Sequence, residues 1–200
     1  MDRRLSVLDP PADLVVSVDE VKEQARLMLP NETDPFAGAE NSLIERQIRS
    51  AIDELDAPQG WLGRSLVTRE LRLLLDFQPA RILRIPCPPV QTVDAAQYRD
   101  HDGVWQDINL NDFLFDLDAD EAYMWPKPGE TWPVAARMPG RFRIDYTAGY
   151  GDPDDVPQVI RDALLIMAAT KYRDRESVII GTIATELQHI RNQLAGWRVW

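Results

Sequence analysis

The stretch RFRIDYTAGYGDPDDVPQVIRDALLIMAATKYRDRE, residues 141–176, constrains this chain more than any other. Arg141, Arg143, Asp145 and Thr147 alternate with Phe142, Ile144 and Tyr146, the period of two of a half-buried strand. Gly149 and Gly151 bracket Tyr150, and Asp152, Pro153, Asp154 and Asp155 stop the strand. Asp155 is placed to cap a helix beginning at Val156, with Pro157 in the first turn, where its missing N–H does no harm. From Val159 to Ala169 that helix is apolar on nearly every face, which predicts the buried centre of the fold. The stretch holds no nucleophile, no paired histidine and no phosphate loop.

Around it the chain changes period twice. Residues 1–16 read as a Pro-containing arm with the apolar patch Leu14-Val15-Val16. Ser17 and Glu20 form a capping box for a first helix, whose apolar face is Val18, Val21, Ala25 and Met28 and which Pro30 ends. A second helix is expected from about Ala39 to Asp56, with Ile44, Ile48, Ala51 and Leu55 on one face and Pro58-Gln59-Gly60 closing it.

The middle section is strand-like. Val67–Phe77 has an imperfect alternation, and Ile82–Ile85 is a short strand stopped by Pro86, Pro88 and Pro89. Val90–Arg99 and Val104–Ile108 form a hairpin across Asp100-His101-Asp102-Gly103, since Asp-Gly supplies the positive φ such a turn needs. Phe113–Leu117, Tyr123–Trp125 and Arg141–Thr147 continue the β section. A last helix places Ile180, Ile183, Leu187, Ile190 and Leu194 on a heptad seam, packed on the second and third helices of the same subunit or, as the alternative, shared with a neighbouring subunit.

The expected fold is therefore α+β: a helical bundle from N- and C-terminal helices with a central antiparallel β insertion. The divisions are an arm at 1–16, a helical part at 17–65, a β section at 66–147 and C-terminal helices at 148–200, all one domain. Two hundred residues suffice for a real core.

Charge narrows the function. The net charge is −11, with only three lysines (Lys22, Lys127, Lys171), a poor endowment for gripping phosphate backbones but suited to lying near DNA without sticking to it. Cys87 is the only cysteine, so no intrachain disulfide forms and a reducing compartment is expected. No apolar run approaches the ~20 residues needed to span a bilayer, and Leu5–Leu8 is too short for a signal core. A soluble intracellular protein with no membrane association is expected.

Catalytic chemistry finds little support. Asp116, Asp118 and Asp120 alternate like a calcium loop, but Glu121 and Lys127 stand where an EF-hand needs Gly and a bidentate Glu. Asp152, Asp154 and Asp155 are explained by helix capping. The histidines, His101 and His189, accompany no nucleophile motif, and no nucleotide-binding glycine pattern occurs. We therefore expect no catalytic, cofactor or metal residues. The C-terminal Trp197-Arg198-Val199-Trp200 is the candidate partner interface, because Trp and Arg dominate interface energetics; covering the subunit's own core is the alternative.

The order of features resembles the head–tail connector, or adaptor, family of tailed double-stranded DNA bacteriophages, prophages and gene transfer agents. The resemblance runs through Gly60-Trp61-Leu62-Gly63-Arg64-Ser65-Leu66, Leu71–Phe77 with Pro79, and Ile85-Pro86 with Pro88-Pro89-Val90. It continues through Val93, Tyr98-Arg99-Asp100, Asp102-Gly103 and Trp132-Pro133. Its most specific part is Tyr146-Thr147-Ala148-Gly149-Tyr150-Gly151 followed by Val156-Pro157 and the apolar helix to Tyr172 and Arg175-Glu176. The resemblance implies a structural neck protein of the virion, assembled in the host cytoplasm. It would form a homo-oligomeric ring, twelve-fold by analogy with the portal, between the portal protein and a stopper or tail-completion protein. DNA would pass through its channel without sequence-specific binding. No catalytic residue or cofactor comes with the family. The alternatives are a small intracellular enzyme or a monomeric protein-binding module.

Overall fold

The computed structural model describes residues 3–10, 13–25, 37–118, 120–173 and 188–199. Along the chain these are β1 (Arg3–Asp9), α1 (Val18–Gln24), α2 (Ala37–Leu55), β2 (Arg69–Leu75), β3 (Leu83–Ile85), β4 (Val90–Arg99), β5 (Trp105–Asp107), β6 (Phe113–Leu117), β7 (Ala122–Pro126), β8 (Phe142–Ala148) and α3 (Gln158–Arg173). A helical segment at 188–193, α4, follows. The chain is a mixed α+β protein with two antiparallel sheets.

The five-stranded sheet has the order β1-β2-β8-β4-β5, and the three-stranded sheet β3-β7-β6. The strand at 142–148 is the centre of the larger sheet, paired to β2 on one side and β4 on the other. Alternation governs which side chains point inward. Leu71, Leu73 and Leu75 of β2 and Phe142, Ile144 and Tyr146 of β8 are fully buried, as are Ile85 and Met124 of the smaller sheet. These residues form one core between the sheets, where Trp132 lies 4.7 Å from Phe113 and edge-on to Phe142 at 5.9 Å. The expected β4–β5 hairpin is present, with Arg99 opposite Trp105 and Gln97 opposite Asp107.

The helices build a second core. Ile44, Ile48, Ala51 and Leu55 of α2 meet Ile160, Ala163, Leu164 and Met167 of α3, and Val15, Val16 and Val21 close the top. Each fully buried Leu or Ile contributes about 1.5–3 kcal/mol relative to exposure. Ile190 and Leu194 of the expected C-terminal seam are buried in the same core; Ile180, Ile183 and Leu187 lie outside the described residues.

Three features differ from expectation. The β section is not purely a central insertion: Arg3–Asp9, within the expected arm, pairs with β2 as an edge strand of the main sheet. Its Leu5 and Val7 pack against the sheet core while Arg4 and Ser6 face out, a short alternation that two flanking arginines obscure in sequence. The third helix does not start at Val156. Pro153–Asp155 forms a separate short turn in which Asp155 accepts from the Asp152 N–H at 2.9 Å, and the carbonyl of Pro157 receives the first helical bond from Ile160. Finally, α3 is not buried all round; Gln158, Asp162 and Ile166 form an exposed flank.

The Thr147–Gly151 loop joins the two cores. The Tyr150 N–H bonds the Leu66 carbonyl at 3.0 Å and the Thr68 N–H bonds the Gly151 carbonyl at 2.9 Å. At Gly149, φ is +137°, and a Cβ there would lie 2.5 Å from the Thr68 nitrogen. Only glycine permits that approach.

Candidate partner interface

The C-terminal residues lie on a seat built by the loop that closes α2. Gly60 folds back onto the helix end, its N–H 2.7 Å from the Asp56 carbonyl, and a Cβ at this position would overlap that oxygen. Trp61 and Leu62 then donate to the carbonyls of Glu54 and Leu55, which turns Trp61 outward and leaves the Leu62 carbonyl free for the chain end. The Val199 N–H takes that carbonyl at 2.9 Å. Arg198 stacks its guanidinium over the Trp61 ring, 4.9 Å from the centroid, and Trp197 packs against the helical core. Arg64, buried to 3% exposure, donates to the Trp197 carbonyl and to the Asp120 carboxylate at the tip of the β6–β7 hairpin. The structure thus brings Trp197, Arg198 and Val199 together as a half-buried strap over residues 61–64. Trp200 lies outside the described residues. A cavity of about 280 Å³ beside the strap is lined by Trp61, Gln188, Arg191, Asn192, Ala195 and Arg198.

Sequence alone points to the strap but not to its seat. Arg64 and Trp61 stand 133 and 137 positions from their partners, so no local pattern links them. The Gly-Trp-Leu-Gly-Arg run is the one signal that could have singled out the seat.

Behind the seat runs a polar seam. Arg69 is ion-paired to Asp56, both nearly inaccessible, and donates to the Ala57 carbonyl at 3.1 Å, while Asp56 accepts from the Leu66 N–H at 3.0 Å. Burial raises the Asp56 carboxyl above its ordinary value against the pull of Arg69. Burial also pushes the Cys87 thiol up to about 12, with the Asp56 charge adding to it, so the thiol is protonated at neutral pH. Tyr146 and Tyr150 are raised by burial too, and the Tyr146 hydroxyl donates to the Pro86 carbonyl at 2.9 Å.

These groups do not assemble into a reactive constellation. His101 is exposed in the β4–β5 turn, and His189 is exposed on α4 with Gln193 3.1 Å from its Nε2. Cys87 has Asp56 and Arg69 as its charged neighbours, not a histidine. Asp116 and Asp118 are exposed on the β6–β7 hairpin, and no group of three or more His, Cys, Asp or Glu placed to hold a metal occurs among the described residues. No described helix is long and apolar enough to cross a membrane.

With this geometry in place, the chain can be set beside known proteins. No protein-family profile matches it, and no curated protein matches it significantly. Solved structures do. A chain of the neck of an empty gene transfer agent (GTA) particle, with C6 symmetry, superposes with a TM-score of 0.74 at 21% identity, covering 98% of this chain and 96% of that one. This chain has the fold of a GTA neck chain. A chain of the native GTA virion gives 0.69 at 21% identity, over 98% of this chain and 95% of that one. A chain of the native GTA neck with C12 symmetry gives 0.60 at 20%, over 98% and 96%. The likeness spans the whole architecture, both cores included.

Proposed function

We propose that this protein is a structural component of a virion neck, forming a ring between the portal and the stopper or tail and extending the DNA channel after packaging. The observation that carries this reading is the fold match to a GTA neck chain over 98% of this chain and 96% of that one. A ring is supported by the C6 and C12 symmetries of those necks, since a twelve-subunit ring contains six-fold symmetry as a subgroup.

The charge fits as well. DNA has to slide through such a channel, and a subunit of charge −11 presents phosphate with repulsion rather than adhesion. A solved ring with a strongly basic lumen would overturn that part.

The strap is the proposed docking element for the portal or a neighbouring subunit. The test is deletion of the gene in a particle-producing strain: DNA-filled heads without tails are expected, and complete tailed particles would overturn the proposal. Complementation with a chain lacking Trp197–Trp200 separates the strap's roles. A folded subunit that fails to join heads supports docking; an unfolded one shows that the strap serves the subunit's own core.

A further inference from the structure

The outer face of the five-stranded sheet gathers four arginines around one tryptophan. Alternation sends Arg72 of β2, Arg143 of β8 and Arg99 of β4 away from the shared core, with Arg141 just before β8 on the same side. Trp105 of β5, opposite Arg99, lies under two guanidiniums, with Arg99 4.3 Å and Arg143 5.2 Å from its centroid. The carboxylates nearby are taken. Arg72 holds Asp145 through two bonds of 2.7 and 2.8 Å, and Asp107 accepts from Gln97. Asp145 also ion-pairs Arg143, 3.8 Å from its Nε, so one carboxylate serves two guanidiniums. The Nε–H groups of Arg99, Arg141 and Arg143 are shielded from water and have no acceptor among the described residues.

The opposite side of the molecule carries the complementary charge. The three-stranded sheet shares its inner face with the same core, so its outer face points the other way. There Asp116 and Asp118 are exposed and form no ion pair with a described residue. Asp120 beside them is held by Arg64, which fixes the hairpin tip.

We infer that the Arg99–Trp105–Arg143 face receives the Asp116–Asp118 hairpin of a second copy of the chain. Unlike patches on opposite sides of one subunit make a head-to-tail contact, the type that closes into a ring. The contact also removes arginines from the surface offered to DNA. The inference rests on the ring reading above and names the surfaces that would form it.

The test is assembly of the full chain into necks, scored by electron microscopy of particles, with folding checked by circular dichroism. Arg143→Glu and Asp116→Arg/Asp118→Arg are each expected to lower ring incorporation about tenfold or more, and their combination to recover most of it. In assembled necks, the pair Asp118→Cys with Arg143→Cys should crosslink between subunits under oxidation. If Arg143→Glu fails to fold, Arg143→Gln and the crosslink carry the test. Rings that assemble normally in both charge-reversal variants overturn the inference and leave the neck reading intact. A wild-type chain that never forms a ring overturns both. Duplex DNA binding lost in Arg143→Glu with rings unaffected would assign the face to nucleic acid instead.

Discussion

Asp56 and Arg69 form an ion pair at the seam between the helical core and the sheet core, each at 7% exposure. Removing one partner leaves a charge with no route to water. Arg69→Met should therefore cost about 3–5 kcal/mol in urea denaturation, because Asp56 stays behind uncompensated. The double variant Asp56→Asn/Arg69→Met should be clearly more stable than the single one. A single-variant cost below about 1 kcal/mol would mean that water reaches the pair.

The contact of Gly149 with the β2 approach sets a second expectation. Gly149→Ala places a methyl 2.5 Å from the Thr68 nitrogen at φ +137°, so backbone must move and the Tyr150–Leu66 bond is strained. Destabilisation of more than about 2 kcal/mol is expected. Gly129, with φ +94° and nothing within 4 Å, is the control: its change to Ala should cost only the backbone term, roughly 1–2 kcal/mol. Equal losses at the two sites would show that crowding at Gly149 is relieved by the loop.

The strap can be probed without cutting it. Arg198→Ala removes the stack on Trp61, worth about 0.5–1 kcal/mol at a half-exposed site. Val199→Pro removes the N–H that holds the Leu62 carbonyl, about 1 kcal/mol. Both variants should stay folded with a melting temperature only a few degrees lower. If either one unfolds the subunit, the strap belongs to the core and not to a partner surface.

Local signals explain which parts of this fold are legible in sequence. The Ser17–Glu20 box, the β4–β5 hairpin and Phe113–Leu117 were readable because each depends on residues a few positions apart. The edge strand β1 was not, since RRLSVLD becomes a strand only through Leu71–Leu75, more than sixty residues away. The start of α3 misleads because the Asp155 carboxylate closes the short Asp152–Asp155 turn instead of capping the helix. The strap was visible as two tryptophans at a chain end, whereas Arg64, which holds it, reads as one arginine among many. The Arg–Trp face was invisible, because Arg99, Trp105 and Arg143 meet only through strand register.

The capping box at α1 gives a pH-dependent prediction. The Ser17 N–H bonds Glu20 Oε2 at 2.6 Å, the Ser17 hydroxyl adds a bond at 2.8 Å, and Arg161 reaches Oε1 at 3.0 Å. The Ser17 N–H foremost, with its hydroxyl and Arg161, holds the Glu20 carboxyl below the usual range against some desolvation. The folded state thus binds the Glu20 proton less readily than the unfolded chain, whose value is about 4.3. The stability from this carboxylate is fully present above that value and is lost as pH falls through the lowered folded one. With the side chain 38% exposed, solvent screening keeps the contribution below about 1 kcal/mol. Glu20→Gln should therefore melt lower than wild type at neutral pH, and the gap should be narrower at pH 3. Urea midpoints at the two pH values measure it. A gap of the same size at both would mean that Glu20 supports α1 through packing and not through its charge.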